Sequence, residues 1–472
     1  MKKRLHLRAV ALAITVLLGA CGGGGDSPPA DGTVGGSGSG GAGGGGVGAA
    51  NPLEADVIVQ LRGGADVDAL AAANGLTVVD RFGRRPIWRL RVAPGASADA
   101  AITALRTDPG VRFAERNIES QTPEGRNTSV WAVGGDAGVY ATQWAPQALQ
   151  LEQAHAASTG EGVRIAVLDT GIDATHPALA ARLARAGDGN ILGRDFVDDD
   201  NDASEVDSRA DAGFGHGTHV AGLVALAAPG ARLMPVRVLD AAGRGNTWVL
   251  AEALAWAVDP DGDPATDDGA HVINISLGTT RSTELLKTVA ELADCSFDDD
   301  DEDEDNDEFE DAGFDDDRER CGNRFAAVVA SAAGNGGSET EQQFPAAESA
   351  TGALGVAAST EARRVAGFSN SGSWIQIAAP GEAIVSTVPG GGWGIWSGTS
   401  MASPLVAGSA ALVLQTLPPG GDAGRPTLRQ WSTEQVAKRL TDRSVALCGS
   451  PLRQLDAAGA VTDRQTPDAP CP

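Results

Sequence analysis

Three short stretches of the chain carry the side chains needed to turn a hydroxyl into a nucleophile. "GVRIAVLDTGID" is an apolar, β-branched run that ends at Asp169 and a glycine turn. It reads as a buried parallel strand with a carboxylate at its carboxyl end, the place where open α/β sheets bind ligands. "GHGTHVAGLVALA" sets His216 between two glycines at the start of a small-residue helix, and the glycines allow other backbone to approach closely. "SGTSMASPLVAGSAALVLQTL" puts Ser400 at the start of a long buried helix, with Pro404 early enough that its missing N–H does little harm. A histidine can take the serine proton, an aspartate can fix the histidine tautomer and steady the imidazolium, and a helix N-terminus offers N–H groups to an oxyanion. Singly, each residue also reads as a turn cap, a polar filler or a helix cap. Together they point to nucleophilic catalysis.

These stretches resemble the signature blocks of subtilisin-like serine proteases, the subtilases, and share their Asp, His, Ser order. The resemblance runs from about position 143 to 460, and "GTSMASP" is its most specific block. It implies that Asp169 orients, His216 is the general base and Ser400 the nucleophile, while His219, the second histidine of "HGTH", serves helix packing. "AAVVASAAGNGG" resembles the family's oxyanion-hole block, with Asn335 as side-chain donor. "HVINISLG" resembles the strand whose Ser276, Leu277 and Gly278 pair a peptide substrate as an added strand. The Ala332, Ala333 and Gly334 backbone is then expected to form the other wall. The implied fold is an α/β, three-layer catalytic domain with a mainly parallel sheet over residues 143–472. The implied activity is endopeptidase action on protein or peptide substrates; a catalytically inactive surface binding module of the same fold is the alternative. No G-x-S-x-G elbow supports a serine esterase.

Upstream elements must deliver and control such a site. Residues 1–20 read as an export signal, a basic "MKKRLHLR" before an apolar run too short to span a bilayer comfortably. "LLGAC" resembles the lipobox of bacterial lipoproteins, which makes Cys21 a lipidation site and the cell envelope the destination, by resemblance the outer membrane of a Gram-negative bacterium. Secretion after processing is the other outcome. Residues 21–52 are a glycine-rich tether with nothing to pack. In residues 53–120 the strand and helix patterns follow the order βαββαβ, which suits a ferredoxin-like sandwich. Its position resembles that of the subtilase prosegment, implying an intramolecular inhibitor whose tail, within the 121–142 linker, blocks the site before cleavage.

The net charge is −27, and fifteen of the 63 acidic residues fall between positions 298 and 317, leaving −12 on the rest. With no Lys/Arg cluster to compensate, nucleic acid is excluded as a partner. This acidic insertion, residues 296–320, is bracketed by Cys295 and Cys321 and reads as a hydrated loop dispensable for peptidase chemistry. With Cys448 and Cys471 the exported chain holds an even set of cysteines, three pairings of which exist; nearest neighbours give Cys295 with Cys321 and Cys448 with Cys471. Catalysis needs no cofactor. Two acidic loops offer alternating oxygens for structural calcium: Asp195, Asp198 and Asp200 in one, Asp259, Asp261 and Asp263 in the other.

Overall fold

The structure, a computed structural model, describes residues 52–126, 132–206, 208–295, 314–322, 326–348, 352–417 and 432–471. The export signal, Cys21 and the tether lie outside them. Among the described residues no helix is long and apolar enough to cross a membrane.

Strand β1, Asp56–Leu61, is buried along its whole length because its two faces meet different partners. Val57, Val59 and Leu61 enter a small core with Leu70 of α1 (Val67–Ala73) and Ile102 and Leu105 of α2 (Ala98–Leu105). Ile58, on the opposite face, joins the core of the larger C-terminal unit together with Phe82 and Ile87. Both helices start at side-chain caps, Asp66 and Ser97, which accept the first free amides. Strands β2 (Leu76–Arg81), β3 (Ile87–Val92) and β4 (Val111–Arg116) complete an antiparallel sheet in the order β2-β3-β1-β4. A short strand, β5 (Glu119–Gln121), then leaves this unit for the larger one.

The larger unit is built on a nine-stranded sheet. Its interior strands are β6 (Arg164–Asp169), β7 (Arg232–Arg237), β9 (Val272–Ile275), β10 (Val328–Ala332), β11 (Ala353–Ser359) and β12 (Ile377–Pro380), in the spatial order β12-β11-β10-β9-β6-β7. The edges are Arg194–Asp195 beside β7 and the pair Arg453–Gln454 and Val445–Ala446 beside β12; only that last pair is antiparallel. Strand β8 (Arg244–Asn246) lies outside this sheet and pairs with β5. Alternation on β6 shows why the runs are apolar on both faces: Ile165 and Val167 pack with α3 (His216–Ala227) and α7 (Thr399–Thr416), Ala166 and Leu168 with α4 (Thr247–Val258) and α5 (Glu284–Asp294). Chain order reverses between β6 and β9, so the crevice at their carboxyl ends is a topological switch point.

The structure departs from the sequence expectation at the acidic insertion. Residues 315–322 form a helix, α6 (Asp315–Gly322), with Asp317 and Arg320 buried, so this end of the run is packed and not merely hydrated. Cys295 and Cys321 are joined, with Cα atoms 5.5 Å apart, as are Cys448 and Cys471 at 5.6 Å.

Candidate active site

Asp169 ends β6 fully buried, and its Oδ1 faces His216 Nδ1 at 2.7 Å while accepting the Thr170 amide at 2.8 Å. His216 opens α3, whose second residue, Gly217, lies against the Asp169 turn; a Cβ there would overlap the Gly171 carbonyl. Glu205 ties the two elements by accepting from Thr170 Oγ1 and from the Thr218 amide and hydroxyl. Ser400, the second residue of α7, is also fully buried, and its Oγ lies 3.3 Å from the Ser276 carbonyl at the end of β9. A buried relay secures this junction: Ser276 Oγ donates to the Ser400 carbonyl, Asn274 Nδ2 to Ser276 Oγ, and Ser403 Oγ to Asn274 Oδ1.

Asn335 follows β10. Its Oδ1 accepts from both the amide and the hydroxyl of Thr399, at 2.9 and 3.0 Å, so its Nδ2 must face the Ser400 side. There it donates at 3.0 Å to a residue that sequence reasoning missed, Glu124. The Glu124 carboxylate sits among the reactive groups: Oε2 accepts from Ser400 Oγ at 2.8 Å and faces His216 Nε2 at 3.2 Å, while Oε1 takes the Asn335 amide. A side chain at Gly398 would overlap Oε1, so this approach requires the glycine of "SGTS". Burial pushes the His216 imidazole down, but the charge and hydrogen bond of Asp169, followed by those of Glu124, raise it to about 10. His219 behaves oppositely. Buried and beside a charged His216, it is lowered to about 3, stacks on Trp396 at 4.9 Å and reaches the Gly394 carbonyl. A neutral His219 that touches none of the other reactive groups is a packing residue.

Glu124 arrives on an added strand. β5 pairs antiparallel with β8 (Gln121 with Arg244, Ser120 with Gly245, Glu119 with Asn246), and Gln121 exchanges two 3.0 Å hydrogen bonds with Gly278 on its other side. Thr122 N donates to the Gly243 carbonyl, and a short helical turn, Pro123–Arg126, then aims Glu124 inward. Gly278 and residues 243–246 therefore flank β5 on its two sides, and Ala332, Ala333 and Gly334 lie apart from this pairing. Ala332 and Ala333 are buried, Ala333 N pairs with Val356 O, and Gly334 N donates to Thr399 Oγ1. Ser276 and Leu277 are buried beneath the channel.

A carboxylate, an imidazole, a hydroxyl and an amide donor thus converge at the carboxyl ends of three parallel strands beside a strand-binding channel. Residues 160–459 match the subtilase family. The chain belongs to the subtilase family. This subtilase is 32% identical over 375 residues to a thermophilic serine proteinase of Bacillus sp. (strain AK1), covering 76% of this chain and 78% of that one. It is 31% identical over 400 residues to subtilisin E of Bacillus subtilis (strain 168), covering 81% and 84%. It is a serine endopeptidase. Residues 46–117 match the fervidolysin N-terminal prodomain. Fervidolysin from Fervidobacterium pennivorans, a keratinolytic enzyme related to subtilisin, shares the fold with a TM-score of 0.63 at 23% identity; the match covers 89% of this subtilase and 61% of fervidolysin.

The two acidic loops of the subtilase differ in what neutralises them. Asp195 Oδ2 and Asp198 Oδ2 both lie on Nη1 of buried Arg237, at 2.6 and 2.5 Å, and Asp195 Oδ1 accepts the amides of Val197 and Asp198. Asp200 accepts the Asp202 amide. The Arg237 guanidinium thus neutralises Asp195 and Asp198, two of the three carboxylates of this loop. In the second loop, ligand oxygens of Asp259, Asp261 and Asp268 lie within 4.8 Å of one another, whereas Asp263 accepts the Ala265 amide. Burial and then the charges of Asp261 and Asp259 raise the Asp268 carboxyl to about 6, and its buried Oδ1 has no hydrogen-bond partner among the described residues. This set fits a divalent cation, with Asp268 in place of Asp263.

Proposed function

We propose that this subtilase is made as an exported zymogen that hydrolyses peptide bonds through Asp169, His216 and Ser400. His216 takes the Ser400 proton as the hydroxyl attacks the scissile carbonyl, Asp169 holds the tautomer and balances the imidazolium, and Asn335 Nδ2 with the Ser400 amide stabilises the oxyanion. Substrate pairs between Gly278 and residues 243–246. The prodomain inhibits in cis by laying β5 in that channel and Glu124 on the reactive groups. The observation that carries this reading is the single carboxylate bound by Ser400 Oγ and Asn335 Nδ2 and facing His216 Nε2. Cys21 carries the lipid anchor on the prodomain side, so cutting the linker separates the catalytic domain from the envelope.

A fluorophosphonate probe followed by intact-mass analysis tests the reading. The expected products are a catalytic fragment labelled at Ser400 and an N-terminal fragment carrying acyl chains on Cys21. A processed protein that takes up no label sinks the peptidase assignment, and an unacylated fragment sinks the anchor.

Calcium held by Asp259, Asp261 and Asp268 would stabilise the loop between α4 and β9 by neutralising three crowded carboxylates. Chelation by EDTA is expected to lower Tm by several degrees, and Asp268→Asn to remove the difference between calcium and EDTA. An unchanged melt in EDTA refutes the site.

A further inference from the structure

The acidic insertion ends on the prodomain. Arg85, in the turn between β2 and β3, donates through Nε to Asp317 Oδ2 at 2.8 Å and through Nη2 to Oδ1 at 2.6 Å, a two-pronged pair largely closed to solvent. Its guanidinium lies over the Phe82 ring, 4.7 Å from the centroid, and Phe82 meets Trp248 of α4 edge-on at 6.0 Å. Behind Asp317 is a second guanidinium, that of buried Arg320, which donates to the Leu292 carbonyl of α5. Phe314 packs against the core that holds Phe82 and Ile87. The disulfide fixes the far end of this segment, because Cys295 is the residue on which α5 terminates.

We infer that residues 314–321, the stapled base of the acidic insertion, are a docking surface that keeps the prodomain on the catalytic domain after the linking chain is cut. This deepens the zymogen reading and rests on it. Besides β5 and Glu124, the prodomain makes polar contacts to helix N-termini: Glu115 accepts the amides of Glu284 and Leu285, and Asn117 accepts from Trp248 N and Thr247 Oγ1. Such caps orient the prodomain. The Arg85 pair adds a buried, bidentate charge contact whose acidic half belongs to the insertion. Asp317 also separates two guanidiniums, so its loss leaves Arg85 and Arg320 facing each other in a site closed to water. The acidic insertion thus carries, at its C-terminal end, a contact that lengthens inhibition alongside β5 and Glu124.

The test uses the full chain with Ser400→Ala, a recognition sequence for an added site-specific protease after Asn127, and a C-terminal tag for immobilisation. After cutting, dissociation of the prodomain is timed. Asp317→Ala and Arg85→Ala are each expected to speed it by about 30-fold or more, and the double variant to be no faster than Asp317→Ala alone. Arg85 lies on the prodomain, so its effect cannot arise from a misfolded insertion. Dissociation within about twofold of the parent in Arg85→Ala, or effects of the two substitutions that multiply, would overturn the inference. The inactive background makes the result independent of peptidase activity, whereas failure of the probe to label Ser400 bears on the zymogen reading alone.

Discussion

Replacing Ser400 by alanine is expected to lower kcat on an unstructured peptide by a factor on the order of 10⁶, as in subtilisin itself. The size follows from what the substitution removes. Ser400 Oγ is a fully buried hydroxyl held beside the Ser276 carbonyl and at the N-terminus of α7, and no neighbouring hydroxyl can replace it; Thr399 Oγ1 is committed to Asn335 and Ser276 Oγ to the Ser400 carbonyl. What survives is the channel and the Asn335 donor, which bind substrate without cleaving it. The precursor of this variant should accumulate uncut, and casein or fluorogenic-peptide hydrolysis should fall to background. A variant that still processes itself and hydrolyses at the parental rate refutes the serine mechanism.

The blocks around Asp169, His216 and Ser400 were legible because each function is tied to local sequence: an apolar strand that must end where the carboxylate is needed, or a helix that must begin at the reactive side chain. The prodomain was legible for a related reason, since its strand and helix periods are intact. Glu124 was not. It reads locally as part of a turn, "TPEG", and acquires its role only from partners 211 and 276 positions away. Arg237 was missed likewise: a basic residue at the end of a strand gives no sign that it will meet Asp195 and Asp198 across the β7 edge. In the insertion, averaging fifteen carboxylates hid one of them, Asp317, whose neighbours are cationic. Charge density describes a segment's preference for water only where every member has the same surroundings.

Glu124→Ala is expected to loosen self-inhibition by roughly 10²-fold or more. The carboxylate engages Ser400 Oγ, Asn335 Nδ2 and His216 at once, and hydrogen bonds to a charged group contribute about 1.5–3 kcal/mol each. Two of them at the low end give about 3 kcal/mol, which is roughly 10² in affinity. The readout is the fluorophosphonate labelling rate of the uncut chain, in which β5 still lies in the channel, so the variant isolates the carboxylate from the rest of the tail. The effect should depend on pH. Burial works against a charged His216, yet Asp169 and Glu124 hold it at about 10, and Glu124's share of that rise exists only while the tail is docked. That share stabilises docking fully below the value that His216 has with the tail undocked, where Asp169 still acts on it, and is lost as the pH rises through about 10. The labelling advantage of Glu124→Ala over the parent should therefore be largest at acidic to neutral pH and shrink as the pH approaches 10. Equal labelling of variant and parent at neutral pH would mean that the strand alone closes the site and that the carboxylate is incidental. The predicted ratio instead makes Glu124 a double block: it occupies the Asn335 donor meant for the oxyanion, and while docked it adds to the pull of Asp169 toward a protonated base.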